Sequence, residues 1–324
     1  MIRNEVKLDL KDRKILFELE KNARSSLPQI AKKAGLSKEA IFHRLKNHEN
    51  QGIIKRYVTN INVYKLGYSY YPLLLKFKDT TPEIEREIID FLRSNRYMAW
   101  MTTCEGNWDV NLTLFAKNNQ DLDLFLDDFL SKYSKYVAEK EIFITTDMYY
   151  FKHNFELNKT TSIVVRTVGE KSVILEELDL HLLKLLAENA RMSLAEIASE
   201  LGTSAKVIAY HVHRLEKQKV ITGSNILVDF SKLGYKFYKV WFGLQEMSPF
   251  QWKKLLTFLH SIPNLVWATK LIGKYDFSIE MEVKDLAEFR QILNSIKKEF
   301  SANIKSHESI LIFEELVLNY FPKF

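Results

Sequence analysis

The chain has 324 residues, 46% of them hydrophobic and 27% charged, with 47 basic against 41 acidic side chains for a formal net charge of +6. That length exceeds one ordinary domain, that composition excludes disordered and collagen-like chains, and the positive balance favours polyanionic partners without specifying one. The single cysteine, Cys104, excludes an intrachain disulfide and points to a reducing, cytoplasmic setting; residues 1–7 hold no apolar signal core and no run is long enough to cross a bilayer, so no membrane partner is expected.

In chain order, Ile15, Leu16 and Leu19 recur at helical spacing after Asp9, and a second amphipathic run covers residues 27–34. Gly35-Leu36-Ser37 supplies a turn and an N-cap, after which Ile41, Leu45 and His48 share one face of a third helix ending near Gly52. This is a helix-turn-helix pattern. Residues 53–63 read as extended. A βαββαβ succession follows: a strand over 70–78, a helix over 82–94, strands over 97–105 and 108–116, a helix over 118–132 and a strand over 137–146. Gly106-Asn107, with glycine first in a two-residue loop, predicts a type II′ hairpin. Residues 153–174 read as a linker in which Ile163-Val164-Val165 is a candidate edge strand.

The pattern then returns 167 positions later. Lys65-Leu66-Gly67-Tyr68 reappears as Lys232-Leu233-Gly234-Tyr235, and Asn22-Ala23-Arg24 as Asn189-Ala190-Arg191. The same shift, without gaps, pairs Pro82 with Pro249, Trp100 with Trp267, Gly106 with Gly273 and Asp109 with Asp276. A period this long means duplication of a whole unit. In the second copy Leu182, Leu183 and Leu186 mark the first helix, and residues 194–201 the second. Gly202-Thr203-Ser204 is the turn, and Ile208, Val212 and Leu215 face inward on the third helix. Strands are expected over 237–246, 265–272, 275–283 and 304–313, with helices over 248–261 and 286–300. The expected fold is therefore α+β: helix-turn-helix domains over 1–62 and 175–229, and βαββαβ domains over 67–152 and 234–324. The two βαββαβ domains are expected to pair, with each other or across chains, and to hide the apolar faces suggested by Leu73, Leu75, Trp241 and Leu244.

At 100° per residue, the outward face of the third helix carries Glu39, His43, Lys46, Asn47 and Asn50, and its repeat Lys206, Tyr210, His213, Arg214 and Lys217. With the adjoining Lys38, Arg44 and His211, these side chains are candidates for contact with the phosphates and base edges of duplex DNA. Residues 1–56 hold fourteen basic and seven acidic side chains, whereas residues 171–222 hold seven of each. The first copy is thus the stronger electrostatic anchor and the second has the more basic reading face. His211 and His213 diverge on their helix, His43 and His48 are five apart, and no histidine or cysteine spacing suits a metal. No cofactor is expected. Cys104, whose counterpart is Leu271, reads as a packed residue.

In order and in duplicate, these features resemble the Lrp/AsnC, or feast/famine, family of transcriptional regulators. The resemblance rests on Leu8-Asp9 before Asp12-Arg13-Lys14-Ile15-Leu16, on Asn22-Ala23-Arg24, on Arg44-Leu45 with Glu49, Gly52 and Ile54, and on the hairpins Gly106-Asn107-Trp108-Asp109 and Gly273-Lys274-Tyr275-Asp276. It implies winged-type helix-turn-helix domains, ferredoxin-like sensing domains and assembly as an oligomer or an intrachain pseudo-dimer. It also implies an amino-acid effector near Gly106, Asn107, Asp109, Gly273, Lys274 and Asp276. The sequence departs from the family in fusing two units, and in having His211 and Lys219 where an arginine and a glycine are expected. Certain tetrapyrrole decarboxylases acting on sirohaem-type substrates resemble the same two-part unit. Against that alternative, residues 67–152 contain no histidine and fourteen acidic against ten basic side chains.

Overall fold

The computed structural model describes residues 5–153, 155, 157, 163–169 and 171–322. In chain order the elements are α1 (Leu10–Lys21), α2 (Leu27–Ala34), α3 (Lys38–Asn50), β1 (Ile54–Ile61), β2 (Ser69–Phe77), α4 (Pro82–Ser94), β3 (Met98–Glu105), β4 (Val110–Ala116), α5 (Asn119–Tyr133), β5 (Val137–Ile142), β6 (Ile144–Phe151) and β7 (Ile163–Thr167). The second copy supplies α6 (Glu177–Glu188), α7 (Leu194–Glu200), α8 (Ala205–Lys217), β8 (Ile221–Val228), β9 (Lys236–Leu244), α9 (Pro249–His260), β10 (Leu265–Ile272), β11 (Phe277–Val283), α10 (Leu286–Glu299) and β12 (Ile304–Leu318). No helix among the described residues is long and apolar enough to cross a membrane. The elements sort into two compact units. One collects residues 1–66, 151–164 and 171–235, with both helix-turn-helix segments; the other collects residues 67–150, 165–170 and 236–324, with both βαββαβ segments.

In the second of these units ten strands form one sheet in the order β5-β2-β4-β3-β12-β9-β11-β10-β6-β7. Each copy contributes its four strands in the order fourth, first, third, second, which is the ferredoxin-like arrangement. The copies are joined by their last strands. The first part of β12 pairs with β9 of its own copy, and its last residues, from Leu311 to Leu318, pair with β3 of the other. Reciprocally, β5 pairs with β2, and after Phe143 the chain continues as β6 along β10. Each copy thereby covers an edge that would otherwise present unpaired backbone groups. The candidate edge strand in the linker is β7, at the end of the sheet beyond β6.

Side chains alternate across the strands, and this corrects which residues join the copies. Leu73 and Leu75 pack with Leu112, Ile88, Phe125 and Phe129 against the helices of their own copy, and Leu244 faces Leu255 and Leu259 likewise. The opposite face carries Leu74, Cys104, Trp108 and Phe143, buried together with Trp241, Leu271, Tyr275 and Ile310. These are four pairs related by the 167-residue shift, so the shared core has the symmetry of the duplication. Burial pushes the Cys104 thiol up to about 11, as expected of a packed residue.

The type II′ hairpin does not form. The β3–β4 register ends at Thr103 opposite Val110, and the loop is closed by Cys104 N–H donating to the Asp109 carbonyl at 2.9 Å. Trp108, expected to begin a strand, instead turns into the shared core and is 2% exposed. The second copy behaves in the same way, with Leu271 N–H donating to the Asp276 carbonyl.

In the other unit, Ile15, Leu16, Leu19, Ile30, Ile41 and Leu45 form the core of the first three-helix domain. Leu182, Leu183, Leu186, Ile197, Ile208 and Leu215 are buried equivalently. On α8 the third buried position belongs to His211 rather than Val212, which is half-buried. The extended segments after α3 and α8 pair antiparallel as β1 and β8, with Val58 opposite Asn225 near the centre. The expected glycine past the end of the recognition helix is informative. Gly52 has φ +66°, and Lys219, in its place, is held at φ +59°. A lysine there carries the left-handed penalty that glycine avoids. Lys219→Gly should therefore raise unfolding stability by about 1 kcal/mol, read as a shifted denaturant midpoint with an unchanged slope. An unchanged or lowered midpoint would remove the strain.

Candidate nucleic-acid interface

Each recognition helix is started by its own sequence. In the first copy Ser26 and Gln29 form a capping box for α2, Gly35 turns the chain at φ +65°, and the Ser37 side chain accepts from Ala40 N–H to start α3. In the second copy Ser193 and Glu196, Gly202 at φ +64° and Ser204 repeat these roles for α7 and α8. With Ile41, Leu45 and His48 inward, α3 exposes Lys38, Glu39, Phe42, His43, Lys46, Asn47 and Asn50. With Ile208, His211 and Leu215 inward, α8 exposes Lys206, Val207, Tyr210, His213, Glu216 and Lys217. The faces differ in charge. Lys46 is paired with Glu49 at 2.9 Å and Glu39 is exposed on the same helix, whereas on α8 Lys206 stands in place of Glu39 and Lys217 in place of Asn50, with the exposed Glu216 in place of Glu49.

Three of the expected contact residues serve another purpose. Arg44 reaches back to the start of α1, pairing with Asp9 at 2.8 Å and Asp12 at 2.6 Å, and His48 Nε2 lies 3.1 Å from the same Asp12 carboxylate. The second copy keeps the acids, as Glu176 and Asp179, but moves the bases. His211 Nδ1 lies 2.7 Å from Asp179, and Arg214 hydrogen-bonds both Glu176 and Asp179. An arginine–asparagine–histidine triplet at 44, 47 and 48 thus becomes histidine–arginine–leucine at 211, 214 and 215. In either form the bases of the recognition helix clamp the acidic N-terminus of the first helix, where negative charge also suits the helix dipole. His211 is 6% exposed and cannot present its ring to a ligand on the outer face; this corrects its assignment. Arg44 and Arg214 are half-buried in the same clamps.

The electrostatics follow. The Asp12 backbone N–H, with the Arg44 guanidinium close by, holds the Asp9 carboxyl down to about 2. Burial works against the charged form of Asp179, yet hydrogen bonds from His211, the backbone and Arg214 keep it below the ordinary carboxylate range. Burial lowers His48 despite the opposing pull of Asp12.

The Asn-Ala-Arg motif, which the sequence places at the end of the first helix, links the two readers. Arg24 Nη1 donates to the Ala190 carbonyl, and Arg191 Nη1 donates to the Ala23 carbonyl at 2.9 Å. The Arg191 guanidinium lies 5.1 Å from the centre of the Tyr57 ring, whose hydroxyl donates to Glu49 at 2.8 Å. Ala190 N–H donates to the Tyr57 carbonyl, and Ser224 Oγ to Asn22 Oδ1. With the β1–β8 ladder, this reciprocal set fixes α3 and α8 in one body.

The hairpin residues split between two roles. Asp109 accepts from Lys76 Nζ at 2.8 Å and from Phe77 N–H at 2.6 Å, and Asp276 accepts from Leu244 N–H at 2.7 Å. Both acids therefore tie their loops to the neighbouring strand. Gly106 and Gly273 lie at the loop tips, and a Cβ on Gly273 would come within 2.7 Å of the Phe143 ring. The aromatic residues converge instead on Glu308, which accepts from Asn107 at 3.3 Å, from Trp108 Nε1 at 2.6 Å and from the Tyr275 hydroxyl. Burial, with the Glu308 carboxylate beside it, raises the Tyr275 hydroxyl above its usual range. Lys274 lies over the Trp108 and Tyr275 rings and 3.8 Å from Glu141, the repeat counterpart of Glu308. Glu308 and Glu141 escaped the sequence reading because neither lies in the hairpin motif.

Comparison with known proteins supports both levels of organisation. A family model for winged helix-turn-helix DNA-binding domains matches residues 8–55 and again 175–222. The transcriptional regulator LrpA of Pyrococcus horikoshii is 34% identical over 115 residues, covering 36% of this chain and 80% of that protein. The regulatory protein AsnC of Haemophilus influenzae is 26% identical over 144 residues, covering 44% and 95%. Each relative therefore corresponds to about one copy. Over the whole tandem arrangement the fold resembles the crystal structure of the siroheme decarboxylase NirDL, with a TM-score of 0.65 at 12% identity, covering 97% of this chain and 94% of that one. The chain belongs to the Lrp/AsnC family of helix-turn-helix transcriptional regulators, as a tandem fusion of two family units.

Proposed function

We propose that the chain is a sequence-specific regulator that reads duplex DNA with α3 and α8 and responds to an amino acid or related small molecule. The helix-turn-helix domains over 1–62 and 175–229 act as readers, and the domains over 67–152 and 234–324 sense and assemble. The observation that carries the reading is the pair of exposed, chemically unlike recognition faces held in one body. Lys38, Lys46, Lys206 and Lys217 are suited to phosphates. His43, Asn47, Tyr210 and His213 are suited to base edges, with Glu39 favouring cytosine. Because the two faces differ, the expected site has two non-identical halves rather than a palindrome.

The clamp and the reading face separate by experiment. On a duplex selected from random sequence, Lys206→Ala with Lys217→Ala should weaken binding and reduce the salt slope by about two if both lysines meet phosphates. Unfolding stability should stay within about 0.5 kcal/mol. Asp179→Asn leaves Arg214 and His211 without their buried counter-charge, and should cost about 2–4 kcal/mol in denaturant unfolding. Unchanged DNA affinity in the double lysine variant, with loss only in Lys46→Ala, would reduce the second copy to a structural partner.

For the effector, the arrangement favours Asn107 and Lys274, with Glu308 and Glu141, as the groups that meet a ligand. Gly106, Gly273, Asp109 and Asp276 shape the loops around them. A second reading, a sirohaem-type decarboxylase, draws on the shared fold; the acidic, histidine-free stretch 67–152 weighs against it. Calorimetry with an amino-acid panel should give heat that Lys274→Ala abolishes, with DNA affinity altered by the same ligand. Absence of heat throughout would leave the hairpins structural, and release of carbon dioxide from sirohaem would favour the second reading.

A further inference from the structure

Two cations of the ferredoxin-like unit lie over tryptophans that the repeat makes equivalent, and among the described residues only one has a counter-charge. Lys239, 4% exposed, lies 4.9 Å from the centre of the Trp100 ring and 5.3 Å from that of Trp241, and is paired with Glu280 at 2.8 Å. The counterpart of Trp100 is Trp267, and the cation over it is Arg166, supplied by β7, with its guanidinium carbon 5.7 Å from the ring centre. Arg166 is 3% exposed. Its Nη1 donates to the Tyr70 hydroxyl at 3.4 Å, while its buried Nε and Nη2 have no hydrogen-bond partner among the described residues. By the 167-residue shift the position of Glu280 is taken by Thr113, so this half lacks the carboxylate that the other contains.

A guanidinium stays protonated in proteins, so burial cannot be relieved by loss of the proton. It is relieved by an anion that satisfies the open donors. Nε and Nη2 share one edge of the planar group, and their N–H bonds run parallel, the geometry that meets both oxygens of one carboxylate. The guanidinium has aromatic neighbours: Trp267, whose ring centre is 4.7 Å from that of Tyr150, and Tyr70, whose hydroxyl meets Nη1. A single carboxylate balances a single guanidinium, whereas a phosphate dianion would leave buried negative charge and a zwitterionic amino acid would bring a second cation. We propose that Arg166 anchors a buried site for an organic monocarboxylate with an apolar body, the ligand's carboxylate supplying what Glu280 supplies to Lys239. The site is separate from the hairpins and does not rest on their effector reading.

Calorimetry on the full chain with 4-methylpentanoate, L-leucine and inorganic phosphate tests this. The first should bind saturably, one per chain, at least about tenfold more tightly than the other two. It should also raise the melting temperature of the wild type, the stabilisation growing with the logarithm of its excess over Kd. Arg166→Met should abolish both effects. Arg166→Lys, which keeps the charge but loses the fork, should weaken binding at least about tenfold, and it decides the matter if the methionine variant does not fold. No heat with any of the three compounds would overturn the proposal. So would full affinity in either variant, or binding of phosphate or leucine that is tighter than that of 4-methylpentanoate and is lost in Arg166→Met.

Discussion

The structure depends on an exchange of edge strands. A four-stranded ferredoxin-like sheet has two open edges, each a row of unpaired N–H and C=O groups that must be covered or must attract another chain. Here the last strand of each copy, after pairing within its own sheet, runs on to pair with the second strand of the other: β12 along β3 and β6 along β10. Duplication within one chain makes the exchange intramolecular, so it does not depend on protein concentration. It also brings Leu74, Trp108 and Phe143 against Trp241, Tyr275 and Ile310, giving a core that neither copy could bury alone.

The same logic, with different groups, operates between the readers. The β1–β8 ladder and the crossed Arg24 and Arg191 bonds join the two helix-turn-helix domains about a pseudo-two-fold axis. Fusion frees the copies to diverge while the frame stays symmetric. The clamps show how: the acids at the start of the first helix are kept, while the basic partners move from Arg44 and His48 to His211 and Arg214. Moving the arginine to position 214 ties it into the clamp, whereas Asn47 in the other copy stays exposed, and the exposed side of α8 carries Lys206, Tyr210, His213, Glu216 and Lys217. Divergence of the readers is thus coupled to divergence of the supports beneath them.

Much of this was legible in the sequence, because the signals are local. Helical spacing placed Ile15, Leu19, Ile41 and Leu45 in the core, the glycines marked the turns before α3 and α8, and one gapless shift revealed the duplication. What escaped depends on contacts distant in sequence. Nothing near Arg44 or Arg214 announces an acid more than thirty residues upstream. Angular position alone put Val212 inward, although a buried carboxylate at Asp179 makes His211 the better inward residue. Strand alternation gives two faces without saying which meets the helices, so Leu73 and Leu75 were assigned to the wrong side. The hairpin glycines invited a two-residue turn, but burying Trp108 and tying Asp109 to β2 required a longer loop.

The central claim is that exchange of the last strands makes the two ferredoxin-like copies one cooperative body. Native-state hydrogen exchange of the amides that pair β12 with β3 and β6 with β10 tests it most directly. The account predicts that both sets exchange only through a common global opening, with the same free energy and the same denaturant dependence. Exchange of one set at lower free energy, through an opening that leaves the other copy folded, would contradict it.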